Sequence, residues 1–212
     1  MQKTLATYGA AKTYQGNWTY TLEQGEGAGK QVQKMTIEVK SKSPTRLVFH
    51  VAPAPDQKTP PGGEPLPELR VVVDGKTAWF ENTLVKAYYK VALPKNAVIS
   101  PLMFMPLIPS ATQVQRSEDL KADGKTYFVL AAATPQGGTG RMEIDAATYH
   151  IRGMSTATLV GLTNMTSAIV MDRETFDGDV PDSVFSYKPP RGAKESPAPP
   201  EAAALFGPPD GK

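Results

Sequence analysis

Apolar and polar residues alternate with a period of two along much of this chain, and short turn sequences interrupt the alternation. Trp18 and Tyr20, for example, are each flanked by polar residues. Successive side chains of a β-strand point to opposite faces, so this pattern predicts strands with one buried face. The pairs Asp74-Gly75 and Asp123-Gly124 adjoin such stretches and are typical of tight hairpin turns. The sequence therefore predicts a succession of antiparallel hairpins.

The predicted strands are numerous enough to define the class of fold. They cover residues 18–22, 35–40, 47–51, 69–73, 77–80, 86–91, 126–132, 142–144, 149–153, 165–176 and 184–187. A helix is predicted over Thr4–Tyr14, ended by Gly16, and the polar stretch 111–120 shows no clear pattern. Because a sheet of this size twists and curls, we predict a mainly β (α+β) fold: a curled antiparallel sheet forming an incomplete β-barrel of about 11 strands, with a small helical lid.

Proline marks the segments that do not join the sheet. Residues 53–67 contain six prolines and predict a long surface loop. Residues 196–212 are rich in proline and alanine and have too few large apolar side chains to form a core. We therefore expect one domain over 1–195, followed by a disordered or loosely docked tail over 196–212.

One apolar segment, residues 97–109, stands between the two strand-rich halves. It has no charged residue and contains three prolines. It is too short to span a bilayer, which takes about 20 apolar residues, and its prolines prevent one regular helix. Ser100 is suited to cap a helical turn that starts at Pro101. We interpret the segment as a lid of short pieces.

The composition argues against several classes of function. The chain has no cysteine, which excludes disulfides and thiolate chemistry, and its net charge of +2 is interspersed, which argues against a nucleic acid partner. His50 and His150 are out of phase with their apolar neighbours and are predicted to face solvent. The glycine-rich stretch 137–140 is interpreted as a turn, and the acidic stretch 172–182 as a solvated turn. We predict no catalytic residue, no metal and no cofactor, and hence no enzyme.

The remaining candidate site is apolar and rich in methionine, a flexible side chain that suits surfaces accepting varied apolar partners. For each of its residues taken singly, a packed core is the favoured interpretation; the methionines shift the balance for the set. The predicted ligand-binding residues are Trp18, Tyr20, Phe49, Trp79, Phe80, Val98, Ile99, Leu102, Met103, Phe104, Met105, Ile108, Met142, Ile144, Met165 and Ile169.

Short motifs, in their order along the chain, resemble those of the LolA-type bacterial periplasmic lipoprotein carriers. The stretch VVDGKTAWF at 72–80 is similar to a hairpin of that family, MEID at 142–145 followed by IRGM at 151–154 is similar to another segment, and FSYKPPRGAKE at 185–195 resembles its terminal strand. The resemblance covers about residues 4–195. It implies an incomplete β-barrel whose helical lid covers an apolar cavity for acyl chains. That family latches its lid with an arginine; Lys42 and Arg46 bracket the corresponding region here, and neither matches the motif.

Two functions are compatible with the sequence. The first is a soluble periplasmic carrier or binder of acylated ligands, a lipoprotein or a lipid, with membrane-bound donor and acceptor proteins as further partners. The second is an envelope sensor or protein-interaction domain that uses the same barrel to bind a protein. Residues 1–10 lack the apolar stretch of a signal peptide, so the periplasmic location is expected from the resemblance alone.

Overall fold

The structure is a computed structural model that describes residues 1–57, 65–103, 113–133, 138–199, 202 and 205–206. The chain divides into two compact units. The first unit contains Met1–Ala10, Trp18–Met35 and Met105–Arg173, and the second contains Ala11–Asn17, Thr36–Phe104 and Glu174–Lys212. Within the described residues, no helix has the length and apolar character that crossing a bilayer requires.

The described elements are one α-helix, thirteen strands and two short 3₁₀ helices. The helix α1 is Gln2–Ala10 and the 3₁₀ helices are Gly27–Gly29 and Asp182–Phe185. The strands are β1 (Thr13–Gln24), β2 (Gln31–Lys42), β3 (Arg46–Pro53), β4 (Leu69–Asp74), β5 (Thr77–Asn82), β6 (Ala87–Ala92), β7 (Gln113–Arg116), β8 (Leu120–Ala122), β9 (Lys125–Ala133), β10 (Thr139–Asp145), β11 (Ile151–Val160), β12 (Thr163–Phe176) and β13 (Lys194–Glu195).

The strands form a single sheet in the order β13-β6-β5-β4-β3-β2-β1-β12-β11-β10-β9-β7, with β8 paired to β9. The described pairings are antiparallel except that of β13 with β6. In the part of the chain that the structure describes, the strands at the two ends of this order do not pair with each other. The predicted fold class, an incomplete β-barrel with a small helix, is confirmed, and the described sheet has thirteen strands where about eleven were predicted.

Two predicted elements differ from the structure. The helix ends at Ala10 and not at Tyr14, because Tyr14 belongs to β1, where its side chain is fully buried and its hydroxyl donates to Glu174 Oε1 at 2.7 Å. The predicted strand 184–187 is wrong, since residues 182–185 form a 3₁₀ helix. Four residues are too few for the alternation to distinguish a strand from a turn anchored by one buried aromatic residue.

The two predicted Asp-Gly turns are present. Asp74 Oδ1 accepts hydrogen bonds from the backbone N–H groups of Lys76 and Thr77, each at 2.8 Å, and Gly75 has a φ of +102°. Asp123 and Gly124 both have positive φ, as a tight hairpin turn demands. These turns fix the register of the strands that follow them.

The 3₁₀ helix Asp182–Phe185 covers one face of the sheet in the second unit. Phe185 and Val180 are buried with Val48 of β3 and Val72 of β4 in one apolar cluster. Two cations hold the same segment, since Lys42 Nζ and Arg46 Nη1 lie 2.5 and 2.8 Å from the Asp182 carboxylate. The two basic residues that bracket the expected latch therefore bind this C-terminal segment.

We expect Asp182→Asn to lower the stability of the protein near neutral pH and to weaken its dependence on acid pH. Hydrogen bonds from Lys42 and then Arg46 hold the pKa of Asp182 below its ordinary value. A carboxylate with a depressed pKa stabilises the fold above its unfolded-state pKa, and this stabilisation is lost as pH falls through the folded-state pKa. Urea unfolding at a series of pH values tests this. Asp179→Asn, at an exposed carboxylate in the same segment, is the matched control and should leave the profile unchanged.

Candidate functional site

An apolar row crosses four strands of the second unit. Phe49 pairs with Val71, Val71 with Phe80, and Phe80 with Tyr89, so these four side chains lie on the same face of β3, β4, β5 and β6. Phe80 and Tyr89 stack with ring centroids 4.7 Å apart and an interplanar angle of 12°. Burial raises the pKa of the Tyr89 phenol above its ordinary value. This face is an aromatic and aliphatic surface.

A groove of about 330 Å³ lies on this face at one end of the strands. Its lining comes from residues that pair directly across the sheet: Leu69 with Asn82, Asn82 with Ala87, and Val71 and Tyr89 with Phe80 between them. Ligand pockets in proteins are usually of about 300–1,000 Å³ and predominantly apolar, so the groove falls within the range of a binding site.

The predicted residues Trp79 and Phe80 lie on opposite faces of β5. Trp79 pairs with Val72, on the face covered by the 3₁₀ helix, and stacks on Tyr187 with a centroid distance of 5.2 Å. Burial, followed by the nearby Glu81 carboxylate, raises the pKa of Tyr187. Since adjacent residues of a strand point in opposite directions, Trp79 and Phe80 do not line one common surface.

A second apolar row runs through the first unit. Met142 pairs with Leu130 on one side and with Met154 on the other, and Met154 pairs with Ile169. Met142, Met154 and Ile169 are buried. The structure thus places the predicted residues Met142 and Ile169 on the same face of β10 and β12. Ile144 also faces this side, two positions from Met142 in β10.

Hydroxyl groups interrupt the apolar face of the first unit next to this row. Thr156 Oγ1 and Ser167 Oγ are 2.8 Å apart, on neighbouring strands. Burial raises the pKa of the predicted residue Tyr20, and a side-chain hydrogen bond with Ser167 partly offsets that shift. Trp18, two positions before Tyr20 in β1, is buried. The surface therefore combines aromatic and methionine side chains with a few hydroxyls.

The β11–β12 hairpin of the first unit ends in an exposed apolar tip. Residues 153–171 contain no charged side chain. At the tip, Leu159 and Val160 are exposed, and Leu162 is fully exposed. Leu159 and the predicted residue Met165 also line an open cleft of about 620 Å³ that the β1–β2 turn borders. Contiguous exposed apolar side chains of this kind mark an interaction surface.

The described part of the lid segment, residues 97–103, belongs to the second unit and lies against the start of β3. The Ile99 N–H donates to the Pro44 carbonyl at 2.8 Å, just before β3. Ser100 caps a turn as predicted, because its Oγ accepts from the Leu102 N–H at 3.2 Å. Ile99 and Leu102 are buried and Met103 is half-buried, whereas Val98 is 78% exposed. The predicted lid is therefore anchored by alternate side chains over its first residues.

Three of the predicted ligand-binding residues lie outside the described residues. They are Phe104, Met105 and Ile108. Their part in the lid stays a prediction.

Both histidines are half-buried, where the sequence predicted that they face solvent. His50 Nε2 lies 2.6 Å from Glu68 Oε1 at the end of β3. His150 contacts the ring of Tyr8, with centroids 6.3 Å apart. His50 lies in β3 as predicted, whereas His150 directly precedes β11 and is not in a strand. The alternation could not show that neighbouring segments pack over them. Among the described residues, no group of three or more histidine, aspartate or glutamate side chains is arranged to hold a metal ion.

Sequence reasoning missed four members of the apolar rows. Val71 and Tyr89 complete the row of the second unit, and Leu130 and Met154 complete the row of the first. A signal for Val71 was present, because counting outward from the Asp74-Gly75 turn pairs it with Phe80. The turns between β5 and β6 and between β9 and β10 have less regular sequences. The pairing partners of Tyr89, Leu130 and Met154 could therefore not be found by counting from a turn.

Comparison with known proteins identifies similar folds but no sequence match. No protein-family model matches the chain. A search of curated proteins finds no match either.

Several solved structures are similar to this chain. An uncharacterized conserved protein from Thermus thermophilus has 10% identity and a TM-score of 0.49, over 92% of this chain and 97% of that one. A LolA superfamily protein from Nitrosomonas europaea has 11% identity and a TM-score of 0.35, over 88% and 97%. MucB in complex with MucA has 14% identity and a TM-score of 0.47, over 88% of this chain and 58% of that one.

We expect Leu102→Ala to destabilise the protein by about 2–5 kcal/mol, the usual cost of removing a buried leucine side chain. Leu102 is 2% exposed, whereas Val98, four residues earlier in the same segment, is 78% exposed. Val98→Ala is therefore the matched control and should change the free energy of unfolding by less than about 0.5 kcal/mol. Urea unfolding measures both. Equal effects of the two substitutions would contradict the anchoring of this segment.

Proposed function

We propose that the protein is a soluble periplasmic carrier or binder of acylated ligands, either a lipoprotein or a lipid. The acyl chain lies along the apolar face of the sheet, and the segment 97–109 covers it. Membrane-bound donor and acceptor proteins deliver and receive the ligand. The observation that carries this proposal is the row from Phe49 to Tyr89 with its adjoining groove of about 330 Å³.

The geometry of the second unit suits an extended hydrocarbon chain. The row residues Phe49 and Tyr89 are half-buried, so apolar area remains available there for a guest. The described lid residues contact the Pro44 end of β3, whereas the groove lies at the opposite end, where Val51 pairs with Leu69. With a rise of about 3.3 Å per residue, the four steps from Leu47 to Val51 extend over about 13 Å, and Leu47, Phe49 and Val51 present apolar side chains to the same face.

The chemistry of the lining determines which part of the ligand it binds. Aromatic, aliphatic and methionine side chains stabilise hydrocarbon by burial, at about 0.8 kcal/mol per methylene. A sixteen-carbon chain that is fully buried supplies roughly 10 kcal/mol before the costs of ordering it are subtracted. Binding of that strength requires a coupled step for release, and a lid of short segments or a partner protein supplies one.

We expect Phe49→Ser to weaken the binding of a fluorescent fatty acid by about tenfold, because a buried phenylalanine side chain contributes about 1.5–3 kcal/mol. Trp79→Phe is the matched control, since Trp79 faces the opposite side of the sheet and the smaller ring keeps its stacking partner. It should leave the affinity unchanged within about a factor of two. Fluorescence titration measures both variants against the unaltered protein.

Mass measurement completes this test. Native mass spectrometry of protein purified from cells should show an additional mass that delipidation removes. Identical masses before and after delipidation, together with no fatty-acid binding, would overturn the proposed function.

The exposed hairpin tip favours a second function, binding of a protein partner. Leu159, Val160 and Leu162 form an exposed apolar point in the first unit, which is unlike a cavity for an acyl chain. A protein-interaction or sensor domain would use such a tip as a buried anchor in its interface.

We expect Leu162→Asp to abolish capture of a protein partner by crosslinking and to leave fatty-acid binding unchanged if the protein-binding function is correct. Truncating or charging a central apolar anchor typically costs at least about 2 kcal/mol, or more than tenfold in affinity. Leu5→Asp, at an exposed leucine of α1, is the control and should preserve capture. Crosslinking that is equal in all three proteins would exclude the tip as the interface.

A further inference from the structure

The C-terminal segment of the chain packs on the apolar row of the second unit, beside the groove. Phe206 packs on Phe80 in an edge-to-face arrangement, with centroids 6.0 Å apart and an interplanar angle of 61°. Phe206 is 8% exposed, whereas the adjacent Leu205 is 48% exposed. Within the described part of the tail, Ala202 and Phe206 are buried, and Phe206 lies against a residue that lines the apolar groove.

The sheet edge guides the tail to this position. Lys194 and Glu195 pair with Ala87 and Tyr88 in a parallel ladder, and Glu195 also forms an ion pair with Lys90 at 3.0 Å. Ser196 follows at once. Its N–H donates to the Tyr88 carbonyl at 2.8 Å, and the residue itself lines the groove. The tail therefore starts at the groove and returns to it within about ten residues.

We propose that Phe206 is a built-in competitor for the apolar row beside the groove, which an acyl ligand displaces when it binds. This inference rests on the proposed function, because it assigns the tail to the surface that the acyl chain would occupy. Phe206 covers Phe80, one of the four row residues, and a hydrocarbon chain along that row needs the same area.

A tethered aromatic side chain is an effective competitor although its own contact is small. A short flexible linker keeps the attached group at a local concentration of about millimolar or more. The affinity of the protein for an external ligand is then reduced by the fraction of molecules in which the tail is seated. Such competition lowers the affinity of the groove without removing any of its apolar lining, and it supplies a means of release.

The test compares two neighbouring substitutions in the full chain. We expect Phe206→Ser to increase the affinity for a fluorescent fatty acid by about tenfold, the effect of one aromatic side chain of this burial. Leu205→Ser, one position earlier and largely exposed, should leave the affinity unchanged within about a factor of two. Neither position contributes to the sheet, so both variants keep the fold intact.

A second measurement follows the tail directly. Chymotrypsin cleaves after exposed phenylalanine, so saturating fatty acid should accelerate cleavage after Phe206 at least severalfold in the unaltered protein. Equal fatty-acid affinities of all three proteins, or cleavage that does not respond to the ligand, would overturn the competition. Absence of binding in all three proteins, including Phe206→Ser, would instead overturn the proposed acyl-binding function.

Discussion

The hydrogen-bonded register of the hairpins is the constraint on which the rest of the second unit depends. Because Val71 pairs with Phe80 and Val72 pairs with Trp79, two adjacent pairs present their side chains to opposite faces. A slip of one residue would exchange the two sets completely. The Asp74 side chain resists such a slip by accepting two backbone hydrogen bonds within the turn. The apolar groove is therefore a consequence of turn geometry as much as of hydrophobic composition.

The two faces fixed by this register have different roles. One is closed by the segment that carries Val180 and Phe185, packed on Val48 and Val72. Lys42 and Arg46 also hold that segment, through ion pairs with Asp182. These ion pairs add to the small contact area of a 3₁₀ helix of four residues. The other face retains half-buried aromatic residues, Phe49 and Tyr89. The second face is therefore the one on which the proposed function places the ligand.

The sequence predicts most of the strands because local signals and tertiary structure agree there. Alternation located β3 to β6 within one or two residues at each end, and the Asp-Gly turns located their hairpins. It failed where a distant segment decides the conformation. Tyr14 joins β1 because its burial and its bond to Glu174 outweigh the helical spacing, and Phe185 is fixed by valines of β3 and β4. Neither partner is visible in a local pattern.

The candidate site follows the same division between local and distant information. The sequence predicted Phe80 and Met142 as members of the site, and the structure places each in one of the apolar rows. It also predicted Trp79, which faces the side of β5 opposite to Phe80. The contact of Phe206 with Phe80 could not be predicted from composition, because the proline and alanine residues around Phe206 indicate a segment with no core of its own. A single aromatic residue in such a tail acquires a function only through the surface it reaches.

The proposed binding of hydrocarbon raises a conflict between capture and release, and the proposed competition by Phe206 is one way to resolve it. Each buried methylene adds about 0.8 kcal/mol, so an apolar groove with no competitor would retain a long chain for too long to act as a carrier. When Phe206 packs on Phe80, a ligand must displace it, so the net free energy gained on ligand binding is smaller. The tail starts beside the groove at Ser196, so in this proposal Phe206 returns to Phe80 when part of the ligand leaves. The returned side chain then hinders rebinding of that part of the ligand. In the proposed carrier, weak competition from within the chain therefore converts strong burial into exchangeable binding.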